Sequence, residues 1–137
     1  MFQGGNATVY VRDMDRAVAF YSKTLGFRLT KRFENFWAEV DAGAGLTIGL
    51  HPAGHGMEPG TKGGVQVGLI AAKPLEEIVK TLTGRGVAFE GPIVDGGEAG
   101  RFVSFADPDG NPIYVWEQTA LSKAEGREAA ATKSGAR

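Results

Sequence analysis

Few residues in this 137-residue chain could do chemistry, and their types limit what that chemistry is. With no cysteine there is no thiolate nucleophile, no disulfide and no Cys-based metal site. There are two histidines, His51 and His55. His51 closes an apolar stretch, and Glu39 lies within the stretch before it. Burial would lift the Glu39 carboxyl toward the range of a general base, with His51 as its acid–base companion. With two amides, the same pair could hold a divalent ion. The plainer alternatives are a rim or loop His51, a solvated His55 and an exposed or Arg-paired Glu39. Asp107 and Asp109 look like a carboxylate couple, but Asp-Pro-Asp-Gly fits a type I turn, which accounts for both. Gly63-Gly64 and Gly96-Gly97 have no following Lys or helix start, so no phosphate loop is expected.

The elements that must position these residues repeat. Ala7–Val11 alternates like a half-buried strand. Asp13 stands where a helix N-cap belongs, Met14, Ala17, Val18, Tyr21 and Leu25 follow at helical spacing, and Gly26 suits the left-handed C′ position. Phe27–Phe33, Phe36–Asp41 and Leu46–His51 read as three strands. His51–Gly64, rich in glycine and proline, reads as a linker. The pattern then returns at an offset of 60: Asn6 meets Gln66, Val9 meets Leu69, Val18 meets Ile78 and Gly26 meets Gly86. Val65, Val67 and Leu69 start a strand, Pro74 opens a helix with its stripe at Leu75, Ile78, Val79 and Leu82, and Val87–Glu90 reads as a strand. A Gly-rich loop to Gly100 follows, then a hairpin of Phe102–Ala106 and Pro112–Glu117. An internal duplication of strand–helix–strand–strand–strand is the simplest account.

Bulk properties exclude several classes. Residues 1–118 hold 11 Lys/Arg and 14 Asp/Glu, residues 119–137 hold 4 and 2, and the whole chain carries a net charge of −1. Nucleic-acid binding has no basic field to use. No apolar run approaches the ~18 residues of a membrane span. MFQGGNATVY lacks a basic stretch followed by an apolar one, so no secretory signal is expected and a cytoplasmic protein is. The Ala-rich segment after Gln118 has no apolar stripe to bury and is expected to be a disordered tail.

Alternation also assigns faces. Ala7/Val9/Val11, Ala38/Val40, Ile48/Leu50, Val65/Val67/Leu69 and Ile113/Val115 should pack under helices. The opposite face then carries Asn6, Thr8 and Tyr10, Trp37 and Glu39, Gly49 and His51, Gln66 and Gly68, and Tyr114 and Trp116. Aromatics there could simply be core. Mixed with uncharged hydrogen-bonding groups and glycines, they also have the composition of a small-molecule pocket. Two of the 21 glycines, Gly49 and Gly68, fall inside strands on this face, where the expectation is cavity space.

Val11-Arg12-Asp13-Met14, then Phe20-Tyr21 and Leu25-Gly26-Phe27, and finally Phe105-Ala106-Asp107-Pro108-Asp109-Gly110-Asn111-Pro112-Ile113 resemble the vicinal oxygen chelate superfamily. That superfamily contains glyoxalase I, extradiol dioxygenases and bleomycin- and fosfomycin-resistance proteins. The resemblance covers residues 5–118 and implies an α+β fold. In it, two tandem βαβββ modules (5–51 and 65–118, joined by 52–64) curl a mixed sheet into a cup with helices outside. Metal-dependent members bind a divalent cation through His, Gln and Glu from four strands. Those positions fall on Asn6, Gly49, Gln66 and Tyr114, none of them His or carboxylate. The expectation is a homodimer without metal or other cofactor, binding a small organic molecule as bleomycin-resistance proteins do. The alternative is a lyase, isomerase or oxidoreductase with a metal at a non-standard site.

Overall fold

The computed structural model describes residue 1 and residues 3–54, 56–60 and 65–119. His55 and the tail after Thr119 lie outside them. The elements run β1 (Ala7–Val11), α1 (Met14–Ala19), β2 (Arg28–Phe33), β3 (Trp37–Gly43), β4 (Leu46–Pro52), β5 (Val67–Ile70), α2 (Leu75–Gly84), β6 (Val94–Asp95), β7 (Arg101–Ala106) and β8 (Pro112–Glu117). The strands form two four-stranded sheets ordered β1-β4-β3-β2 and β5-β8-β7-β6. The second order repeats the first, element for element, as a duplication requires. β1 runs parallel to β4, while β3 is antiparallel to both β4 and β2, so the first sheet is mixed. The fold is α+β, two tandem βαβββ modules.

By contact density the chain divides into two units. The first comprises Met1–Val67 with Phe105–Ile113, the second Gly68–Ser104 with the rest of the chain. In the first, alternation is obeyed closely. Val11, Ala38, Val40, Ile48 and Leu50 are wholly buried, together with Ala17 and Tyr21 from the helical segment. Asp13 caps α1 by accepting the Arg16 N–H at 3.0 Å. Beyond Ala19 the helix widens into a π-turn over Phe20–Thr24, and Gly26 ends it with φ +79°.

The 107–111 turn belongs to this unit, and its carboxylates are structural. Asp107 Oδ1 accepts the N–H groups of Asp109 and Asn111, both at 2.9 Å. Its Oδ2 accepts from the Tyr21 hydroxyl at 2.9 Å and the Asn111 amide at 2.8 Å. Asp109 Oδ1 accepts the Arg12 N–H at 2.9 Å and the Arg16 guanidinium at 2.8 Å. The Asn111 amide also donates to Tyr10 O and accepts from the Gly60 N–H, each at 2.8 Å. The turn accounts for the two aspartates only in part, since they also bind partners 86–97 residues away in the sequence.

Burial, followed by the adjacent Asp107 charge, pushes the Tyr21 phenol far above its ordinary value near 10. The folded state therefore keeps this proton at pH values where the unfolded chain releases it. The stabilisation is complete below pH 10 and is lost as pH rises above it. Stability measured against pH should fall above pH 10, and Tyr21→Phe should remove part of that slope. An identical slope in the variant would show that Tyr21 is not responsible.

In the second unit, Pro74 is the N-cap of α2 and offers no side-chain acceptor. Glu117, at the end of β8, supplies one, taking the Leu75 N–H at 3.0 Å. The Arg101 guanidinium donates to both Glu117 oxygens, at 2.8 and 3.0 Å, and also reaches Glu76. Its hydrogen bonds hold the Glu76 carboxyl at a pKa of about 2.

Several strand ends shift by one or two residues from the sequence reading, and the second module departs from it further. Val87–Glu90 is not a strand. The Glu90 N–H gives one bond to Ser104 O at 2.7 Å, after which Gly91 turns with φ +83° and Pro92 has no N–H to give. The strand pairing with β7 is instead β6, inside the segment read as loop, with Val94 opposite Phe102. β5 starts at Val67, leaving Val65 88% exposed and Gln66 ahead of the strand.

Candidate functional site

On the first sheet, strand register sets two rows side by side. Thr8 lies opposite Gly49, Gly49 opposite Glu39, and Glu39 opposite Lys31. In the next row Tyr10 lies opposite His51, and Trp37 opposite Phe33. Rings join the strands of that second row. Tyr10 and His51 meet edge to face with centroids 5.6 Å apart, and His51 and Trp37 do so at 6.3 Å. His51 Nδ1 lies 2.8 Å from Pro52 O, so that nitrogen donates and Nε2 is left as the ring's acceptor. Asn6 Oδ1 accepts from the Thr8 hydroxyl at 2.8 Å. The structure thus gathers Asn6, Thr8, Tyr10, Trp37, Glu39, Gly49 and His51 on one sheet face.

Gly49 does not open a cavity. A Cβ placed there would come within 2.3 Å of Trp37 Cη2 and 3.1 Å of Asn6 Oδ1. The indole leans across from β3 and lies on the glycine. The second unit repeats the device, since a Cβ at Gly68 would meet the Tyr114 ring at 2.4 Å. At both glycines an aromatic ring occupies the space a Cβ would need, a correction to the cavity expectation. Trp116, the other aromatic of β8, donates its indole N–H to Ala99 O at 2.7 Å. Gln66 is exposed and precedes β5.

Glu39 is paired. Its carboxylate lies 3.2 Å from Lys31 Nζ, with 18% of its side chain exposed. The partner is a lysine rather than the arginine considered from sequence, and it comes from β2, whose register alternation alone left open. Lys31 and Phe33 were missed for that reason. The available signal was the tight 34–36 turn, which places Phe33 and Trp37 at matching distances on either side.

The four positions at which the resemblance implies metal ligands, Asn6, Gly49, Gln66 and Tyr114, do not fit a divalent cation. Asn6 and Gln66 are neutral amides, Gly49 lies beneath an indole, and the Tyr114 ring covers Gly68. Among the described residues there is no group of three or more His, Asp or Glu that could hold a metal.

A cleft of about 380 Å³ runs along the outer edge of β1, lined by Thr8, Val9, Tyr10, Val67, Asn111 and Pro112 among others. That is within the range of small-molecule sites. No helix among the described residues is long and apolar enough to cross a membrane.

This fold and face define a known class. Residues 5–115 match the family model of the Glyoxalase/Bleomycin resistance protein/Dioxygenase superfamily, and the chain belongs to that superfamily. Among solved structures it is similar to TnmS3, an antibiotic binding protein from Streptomyces sp. CB03234. Identity is 29%, coverage 87% of this chain and 98% of that one, and the TM-score 0.72. A superfamily member from Sphaerobacter thermophilus is 31% identical, with coverage of 86% and 98% and a TM-score of 0.72. Lactoylglutathione lyase from Agrobacterium tumefaciens shares the fold at 18% identity, with coverage of 85% and 94% and a TM-score of 0.68.

Proposed function

We propose that the chain is a small-molecule-binding protein that takes a flat aromatic or amphipathic organic ligand without a metal. The observation that carries this reading is the contacting ring cluster Tyr10–His51–Trp37, seated on Gly49 with hydrogen-bonding groups at its border. Such a face binds through ring contact and a few placed polar groups. TnmS3, described as an antibiotic binding protein, supports a ligand of natural-product type. A homodimer is part of the proposal, and light scattering that gives a monomer mass at micromolar concentration removes that part.

The test is a thermal shift screen of aromatic antibiotics and phenols, each with and without EDTA. A ligand at a hundred times its Kd contributes about 2.7 kcal/mol, roughly a 10 °C rise for a chain of this size. The rise should survive EDTA. No hit across the panel, or one abolished by EDTA and restored by Zn, Ni, Mn or Fe, would overturn the proposal.

A further inference from the structure

We infer that residues 94–100 are a strap over one face of the second sheet, latched shut by the Trp116 indole and opening to admit a small molecule to that face. The inference rests on the ligand-binding reading and adds a control of access. Val103 on β7 and Val115 on β8 are buried. Alternation therefore puts Phe102, Tyr114 and Trp116 on the opposite face, where the Tyr114 ring covers Gly68. The strap crosses the end of this face. A Cβ at Gly96 would lie 3.8 Å from the Phe102 ring, and the Trp116 indole N–H donates to Ala99 O at 2.7 Å.

The strap is a compact piece with light fastenings. Within it, the Gly96 N–H donates to Gly100 O at 2.8 Å and the Gly100 N–H to Gly97 O at 3.1 Å. Asp95 Oδ1 accepts the Gly97 N–H at 2.8 Å. Residues 94–99 are all exposed, so little apolar burial holds the piece down. Its fastenings to the β8 end are polar: the Trp116 indole, and the Thr119 hydroxyl donating to Glu98 O at 2.8 Å. Gly91, with φ +83°, and Gly100, with φ +107°, stand at its two ends as hinges. Gly100 also permits the close seat on β8, because a Cβ there would run into Glu117 O. Segments with exposed hydrogen bonds and little buried apolar contact open locally at low free energy. Opening bares the indole N–H, a donor for which a ligand acceptor can replace Ala99 O.

Amide hydrogen exchange tests the motion without a ligand. The Gly96, Gly97 and Gly100 amides should exchange together, ahead of those in β7 and β8. Trp116→Phe keeps a ring and deletes the donor. It should speed the strap about five- to tenfold, the worth of one hydrogen bond, and leave β7 and β8 unchanged. Thr119→Val cuts the other fastening with Trp116 intact and should speed the strap in the same way. Gly100→Ala, in a Trp37→Phe background that leaves Trp116 as the one tryptophan, should raise quenching of its emission by acrylamide. Strap exchange that neither variant alters, or that speeds only together with β8, overturns the inference and leaves the ligand-binding reading standing. Unchanged acrylamide quenching in Gly100→Ala does the same. If the strap opens as expected but no compound of the thermal shift screen binds, the ligand-binding reading falls, and the gating role falls with it.

Discussion

Replacing Asp107 by alanine is expected to destabilise the fold by about 3–5 kcal/mol, the range for breaking a buried, hydrogen-bonded charge network. Asp107 is 5% exposed, and its two oxygens accept four hydrogen bonds. The variant would leave the Tyr21 hydroxyl and two backbone N–H groups without acceptors, each costing about 1–3 kcal/mol when buried. Asn111, which ties the turn to Tyr10 O and to Gly60, would lose its anchor as well. Tyr21→Phe should cost less, about 1–2 kcal/mol, because it removes one donor and leaves Asp107 with three. Urea denaturation with a common m-value measures both. A loss below about 1 kcal/mol for Asp107→Ala would mean that the turn is held chiefly by other contacts.

The second large effect belongs to the binding face. Gly49→Ala should displace the Trp37 indole, because the new methyl group would sit 2.3 Å from Cη2. Overpacking of this kind costs about 1–3 kcal/mol. Ligand affinity should fall as well, about tenfold or more, since the ring cluster loses its central support. Trp37 emission should shift red as the ring moves into solvent. An alanine variant with unchanged emission and affinity would show that the indole is free to sit elsewhere. Gly68→Ala repeats the experiment on Tyr114 in the second unit.

These two predictions mark where the sequence was informative. The order of elements and the buried face were legible, because periods of two and 3.6 reflect burial directly. β1 spans Ala7–Val11 as read, Asp13 is a cap, and Gly26 ends the helical segment. The second module was harder. Val87–Glu90 has strand composition, but Gly91 and Pro92 follow it directly and keep it from extending, and a two-residue strand at Val94–Asp95 has too few residues to show a period. The site was legible as a set of residues on a face and not as a geometry. Alternation says that Trp37 and Gly49 share a side. The lean of the indole onto the glycine depends on side-chain torsion and diagonal register, which a one-dimensional pattern does not contain. Glu39 illustrates the same limit: its strand and face were readable, but its partner depended on the pairing of β2, where a bulge falls between Leu29 and Lys31. The partners of Asp107 and Asp109 were out of reach because nothing local links residue 107 to residue 21.

That clasp also bears on how the chain reaches its fold during synthesis. The first unit is not contiguous: it needs Phe105–Ile113, which leave the ribosome long after Val67. At about 5–20 residues per second, Tyr21, Arg12 and Arg16 wait several seconds for the acceptors they finally bind. Meanwhile the nascent first module carries a Tyr21 hydroxyl whose carboxylate partner has not yet been made. A fragment ending at Val67, although it contains one whole repeat of the duplication, should therefore not persist as an independent folded piece.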